Sequence, residues 1–350
     1  MSFSIGIVGL PNVGKSTLFN ALTKLQVDAS NFPFCTIDPN VGTVAVPDER
    51  LWQLSKLYSS AKTLPTTIEF VDIAGLVKNA HKGEGLGNAF LSHIRSVNAI
   101  CQVLRGFSDP NVVHVDGRVN PEEDRRTINI ELIFADLATI ERRIAETGPK
   151  ARSGDKESIL KLKTYEKVKH SLDAGTLISQ VPLTPEEKRD IADLHLLSAK
   201  PMLYVLNVDE NSAAKDNPGY LTISAKIESE LSQMPEADAH EYLKSLGLEK
   251  TGLERLIVAS YALLDLITFF TAGPKETRAW TVKRGATAPE GGAEIHSDFQ
   301  TKFIRAEVTN WKDLIECGGE AGAKSQGKTR IEGKEYVVQD GDTFYFRIGG

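Results

Sequence analysis

The amino-acid sequence predicts an α/β fold in three parts, and three observations carry that expectation. Phe3 to Gly9 is an apolar, β-branched run that reads as a buried strand, and it passes through a glycine-bounded turn into residues 16–24, whose apolar positions recur at helical spacing. From about 127 to 200 the pattern is helical throughout, whereas from about Leu266 it alternates with period two between Gly and Pro turns. At 350 residues the chain is longer than one hydrophobic core usually grows. The expected division is therefore an α/β domain from 1–126 and 200–265, a helical arm from 127–199 inserted into it, and a small mixed-sheet domain from 266–350.

The first turn carries chemistry. Gly9-Leu-Pro-Asn-Val-Gly14-Lys15-Ser16-Thr17 fits G-x-x-x-x-G-K-S, a loop whose backbone N–H groups cradle phosphates. Its two glycines allow backbone approaches forbidden to residues with a Cβ, and the following helix N-terminus adds partial positive charge. Lys15 is expected to reach the β- and γ-phosphates and the Ser16 hydroxyl to complete the coordination of Mg²⁺.

Composition bounds the rest. With 41% hydrophobic and 25% charged residues the chain is an ordinary globular protein, and no run approaches membrane-spanning length. The N-terminus lacks a signal-peptide pattern, so a cytoplasmic location is expected. Cys35, Cys101 and Cys317 are odd in number, far apart and without metal-ligand spacing, which points to reduced thiols.

Beyond the first helix, Asn31-Phe-Pro-Phe-Cys-Thr36-Ile-Asp-Pro-Asn40 is rich in turn residues and precedes a strand pair at 41–46 and 67–71. That position favours Thr36 as a metal and γ-phosphate sensor. The second strand ends in Asp72-Ile-Ala-Gly75, a D-x-x-G in which Asp72 serves the Mg²⁺ and the Gly75 N–H meets the γ-phosphate. Ras-type enzymes place a water-orienting glutamine next. Here the residue is Leu76, which cannot orient water. A glycine-rich stretch from 78 to 87 reads as a second switch before a helix at about 88–97. After a further buried strand at 99–104 comes a loop with His114, whose imidazole could position water. From chemistry alone it is taken as a surface histidine.

Within the helical region, Gly148-Pro149 and Gly154 are expected to separate two antiparallel helices. Residues 142–169 hold nine Lys and Arg against four Asp and Glu, a local net of +5 in a chain of net −6. A charged helix face is usually just solvated, but so concentrated an excess weighs equally toward a nucleic-acid footprint. The chain returns to the sheet at 201–207, which ends in Asn207-Val208-Asp209-Glu210. Guanine readers carry N-x-x-D with a lysine second; Val208 and Glu210 replace those residues and compromise guanine recognition. Ser224-Ala225-Lys226 resembles the backbone loop that closes over a base edge, and helices are expected from 228 to 264. Further strands are expected at 267–272, 278–283, 303–308, 336–338 and 343–347, with a short helical piece near 296–302.

Taken together, these stretches resemble the YchF/Obg-like ATPase family of Obg-related P-loop NTPases over essentially the whole chain. The resemblance rests on residues 9–17, 31–40, 72–78, 82–87, 114–121, 207–210, 270–281 and 340–342. It implies a Ras-like nucleotide domain, an inserted helical coiled-coil arm and a C-terminal TGS domain of β-grasp form. It also implies slow hydrolysis of ATP in preference to GTP, Mg²⁺ as cofactor, and association with the ribosome, its large subunit and rRNA through the arm and TGS domain. Neither DNA nor a membrane is an expected partner, and a monomer is expected. By position, Asn12, Val13, Gly14, Lys15, Ser16 and Thr17 bind phosphates; Ser16, Thr36 and Asp72 serve the metal; Asn207, Val208, Glu210, Ser224 and Ala225 lie at the base. The family pattern assigns His114, with Lys15 and Gly75, a catalytic role, reversing the reading from chemistry alone. The alternatives are a true GTPase switch, separated at Asn207 to Glu210, and a nucleotide-gated scaffold with incidental hydrolysis.

Overall fold

A computed structural model describes residues 3–26, 40–73, 88–109, 112, 118–215 and 217–349. In chain order the elements begin β1 (Ser4–Val8), α1 (Lys15–Lys24), β2 (Val41–Ala45), α2 (Glu49–Tyr58), β3 (Thr63–Leu64), β4 (Thr67–Asp72), α3 (Asn88–Ser96) and β5 (Ala99–Arg105). The arm follows as α4 (Pro121–Arg152), α5 (Lys156–Asp173) and α6 (Pro185–Asp190). Next are β6 (Met202–Asn207), β7 (Leu221–Ile223), α7 (Ala225–Leu231), α8 (Glu236–Ser245) and α9 (Gly252–Leu263). The C-terminal part comprises β8 (Leu266–Thr271), β9 (Thr277–Lys283), α10 (Ala288–Ile295), α11 (Ser297–Thr301), β10 (Phe303–Asn310), α12 (Trp311–Glu316), α13 (Glu320–Ser325), β11 (Arg330–Glu332) and β12 (Asp342–Ile348).

The first sheet has the order β2-β4-β1-β5-β6-β7, parallel except for β2. Its central strands are covered on both faces, which is why they read as continuous apolar runs. Ile5, Ile7, Phe70, Ile100, Val103 and Val205 form its core with Leu18 and Leu22 of α1. The carboxyl ends of β1, β4, β5 and β6 open on one side of the sheet, where ligands of such sheets bind.

The arm departs from expectation at two points. Helix α4 starts at Pro121, capped by the Asn120 side chain on the Glu123 amide, and its root residues Ile128 and Leu132 belong to the main core. It also runs through Gly148-Pro149, so Gly154 alone, with φ +90°, marks the reversal into α5. Pro149 lies in the last turn, where a missing N–H removes one bond near an end that frays anyway, while its own carbonyl accepts from Ser153 N. The helices meet over Ile140, Tyr165, Val168 and Leu172. At the arm's return, buried Asp136 accepts hydrogen bonds from Leu197 N, Ser198 N and Ser198 Oγ at 2.8, 2.8 and 2.6 Å. Asp136→Ala leaves these donors unpaired, so chemical denaturation should register a loss of about 2–4 kcal/mol.

The second sheet has the order β11-β10-β12-β8-β9-β3. Its last member comes from the N-terminal half of the chain: Thr63 and Leu64 pair in parallel with Thr277 and Arg278. Helix α2 follows the same strand partner, burying Leu51 and Leu54 against Phe270, Ala279 and Leu314, and Arg50 reaches Asp340 at 2.7 Å. The strand expected at 336–338 is irregular backbone with one isolated bridge at Val337, and the strand β11 lies earlier. Tyr336 is held there by its hydroxyl, which donates to Asp342 Oδ2 at 2.7 Å, and by the Arg330 guanidinium over its ring.

Candidate nucleotide site

The turn between β1 and α1 is built for close approach to its neighbours. Gly14 has φ +95°, and a Cβ there would overlap the amide nitrogen of Asn207. At Gly9 a Cβ would overlap the Val103 carbonyl. Asn12 also adopts the left-handed conformation, at φ +63°, which asparagine tolerates better than most residues. Helix α1 has neither a capping side chain nor an acidic residue in its first turn. Its leading amides and the positive end of its dipole are therefore available to an anion.

Lys15 is 7% exposed, and its ammonium donates to the Leu10 carbonyl at 2.7 Å. Burial pulls its pKa down to about 8, against the pull of Asp72 in the opposite direction. Asp72 ends β4 level with Ile7 of β1. Ser16 and Thr17 are exposed at the start of α1. A hydroxyl and a carboxylate are hard oxygen donors suited to Mg²⁺, which takes one or two protein ligands and completes its shell with phosphates and water. No cluster of three or more His, Cys, Asp or Glu that could cage a metal occurs among the described residues. Thr36, Gly75 and His114 lie outside the described residues.

On the other side, Asn207 ties two loops together. Its Nδ2 donates to Val13 O and its Oδ1 accepts from Ala225 N, both at 2.9 Å. The side chain is thus committed to holding the phosphate loop against the 224–225 loop. A cavity of about 460 Å³ lies along this join, lined by Gly14, Thr17, Phe107, Val208, Glu210, Ser224 and Ala225 among others. Val208 is 6% exposed and packs with Leu104, Leu206 and Ile227. Glu210 pairs with Lys226 at 2.7 Å. The Ser224 hydroxyl is buried without a hydrogen-bond partner among the described residues, an orphaned polar atom in the cavity wall.

Phe107 was not singled out from sequence. Its signal was Arg105-Gly-Phe at the end of β5, where the buried Arg105 guanidinium lies 4.4 Å from the Phe107 ring centroid and Nε donates to the Phe107 carbonyl at 3.2 Å. Gly106 is required beside it, since a Cβ would press on Leu206. The ring is thereby fixed in a wall that can stack on a planar base.

A phosphate loop at the end of a central parallel strand, with a carboxylate on the neighbouring strand and a cavity closed by loops after β5, β6 and β7, defines a P-loop nucleotide-binding protein. Residues 4–131 match the family model described as a 50S ribosome-binding GTPase, and residues 266–349 match a YchF GTPase C-terminal model described as a protein of unknown function (DUF933). The ribosome-binding ATPase YchF of Bacillus subtilis is 50% identical over 99% of this chain and 100% of its own. Its namesake from Escherichia coli O157:H7 is 48% identical over 99% of both chains. The solved YchF GTPase of Schizosaccharomyces pombe superposes with a TM-score of 0.90 at 35% identity, over 99% of this chain and 98% of that one. The chain belongs to the YchF family.

Proposed function

We propose that this chain is a Mg²⁺-dependent ATPase that hydrolyses ATP slowly, in preference to GTP, and whose nucleotide state switches its affinity for the ribosome. The observation that supports this reading best is the base wall. Val208 is packed into a hydrophobic cluster and Glu210 is engaged by Lys226 where a guanine reader needs a lysine and an aspartate. Asn12 to Thr17 would take the phosphates, Ser16, Thr36 and Asp72 the metal, and Asn207, Val208, Glu210, Ser224 and Ala225 the base region. The bound Mg²⁺ would supply charge neutralisation at the β- and γ-phosphates. Lys15, released from the Leu10 carbonyl, would add a second positive charge there. His114, with Lys15 and Gly75, would complete the catalytic set.

The names of the curated relatives favour ATP and the ribosome, and the long helical arm and C-terminal sheet, read as a TGS domain, offer surfaces to the large subunit and its rRNA. No helix among the described residues is long and apolar enough to cross a membrane; a cytoplasmic monomer fits the reading. The test is calorimetric titration of ATP and GTP side by side. ATP should bind more tightly, by the 1–3 kcal/mol or so that an unpaired polar contact costs, and tighter GTP binding would reject the assignment. Converting the site to a guanine reader through Val208→Lys and Glu210→Asp carries a structural cost, because the new ammonium enters the Leu104, Leu206 and Ile227 cluster.

A further inference from the structure

The excess positive charge of the arm is not spread along it. Over residues 121–199 thirteen Lys and Arg face fifteen Asp and Glu, so the arm as a whole has no basic character. Of the nine cations between 142 and 169, five are ion-paired, partly with acids from outside that window. Arg142 pairs with Glu146, Arg143 with Glu146 and Asp193, Lys161 with Glu157, Lys167 with Glu187, and Lys169 with Glu141 and Asp173. The other four, Lys150, Arg152, Lys156 and Lys163, are exposed and make no ion pair among the described residues.

Lys150, Arg152 and Lys156 flank the reversal at the distal end, and Lys163 lies further back along α5, in a groove it lines with Lys161, Lys167 and the carboxylates of α6. Lys150 and Arg152 occupy the last turn of α4, the chain reverses at Gly154, and Lys156 opens α5 with Lys163 two turns further on the same face. The nearby Asp155 is engaged in capping α5 through the Ser158 amide at 2.9 Å. Ala135 is the last residue of α4 packed against the main core, so Arg152, 17 positions on, stands about 25 Å out along the helix at 1.5 Å per residue.

From this arrangement we infer that the arm's tip, through Lys150, Arg152, Lys156 and Lys163, is a contact for the phosphate backbone of RNA, while the lysines of the shaft are internal ion-pair partners. The inference rests on the ribosome-binding reading and narrows it to one end of one element. Four exposed cations toward the end of a projecting helix pair, none of them in an ion pair among the described residues, complement a polyanion, and each phosphate they meet releases counterions.

The experiment compares the full-length parent with two variants for sedimentation with purified ribosomes across a salt series. One variant carries Lys150→Ala, Arg152→Ala, Lys156→Ala and Lys163→Ala; the other carries Lys161→Ala, Lys167→Ala and Lys169→Ala. Removing a phosphate contact lowers the salt slope by about one per cation, so the tip variant should lose most of the parent's slope and bind weakly at every salt concentration. The shaft variant should keep the parent's slope. Basal ATP hydrolysis should be unchanged in the tip variant, since none of its four residues touches the nucleotide site. Lys150 and Arg152 also complement the C-terminal dipole of α4, and thermal unfolding separates that effect from lost binding. A tip variant that binds with the parent's affinity and slope overturns the inference while leaving ribosome association standing. Weaker binding at an unchanged slope also overturns it, in favour of a protein surface as the tip's partner. A parent that does not sediment with ribosomes overturns the underlying reading, and the inference with it.

Discussion

Gly14→Ala should lower nucleotide affinity by about 10²- to 10³-fold, at 1.4 kcal/mol per decade. Two costs add at this position. An L-residue at φ +95° is strained by about 1–2 kcal/mol, and the new methyl must displace the Asn207 amide, which is bonded on both sides at 2.9 Å. Either the Val13 carbonyl and the Ala225 amide lose their partner, at about 1–3 kcal/mol for each buried group, or the phosphate loop shifts away from its geometry. Calorimetry on Gly14→Ala, Asn207→Ala and the double variant separates the contributions. Asn207→Ala removes the atom with which the methyl collides, so the second substitution should cost less in that background, with a coupling of about 0.5–3 kcal/mol. Strict additivity would show that the backbone conformation alone makes Gly14 necessary.

His114→Ala should slow single-turnover ATP hydrolysis by about 10²- to 10⁴-fold, the range of an acid–base group, and leave ATP affinity nearly unchanged. The expectation comes from chemistry that is missing elsewhere. Leu76 follows the D-x-x-G glycine and offers no polar group to the attacking water. The loop bearing His114 leaves β5, whose last residue Arg105 is level with Asn207 of β6, so that loop starts beside the nucleotide cavity. Phosphoryl transfer is helped mainly by positioning and charge stabilisation, which one imidazole can provide without a covalent intermediate. Binding persists because the phosphate loop and base wall are untouched. Hydrolysis at the parental rate would sink the assignment, and loss of ATP binding would make His114 a structural residue. Lys15→Ala is the contrast, since it removes the buried ammonium from the phosphate site and should abolish binding itself.

What could be read from the sequence is what is encoded within a few residues of itself. The strand, glycine turn and helix of the phosphate loop are local, and the order of glycines, Lys15 and Ser16 specifies a function that almost nothing else requires. The buried parallel strands were legible for a related reason: covered on both faces, they are apolar along their whole length. Only the tertiary structure decided what the same residues do when their partners are distant. Gly148-Pro149 reads as a break, yet α4 continues to Arg152 because packing with α5 outweighs one lost bond near its end. Two residues at 63–64 carry no period, and they became a strand only by pairing with β9 more than 200 positions away. The sequence points to Asn207 as part of the base site, and only the folded chain shows that its two hydrogen bonds also make it the tie between the loops that form that site. The basic stretch of the arm shows the limit most directly. Sequence counts charges along the chain, but whether a lysine is available to a partner depends on which carboxylates the neighbouring elements bring within 4 Å, and Glu141, Glu187 and Asp193 reach the shaft lysines and arginine only once the arm has folded.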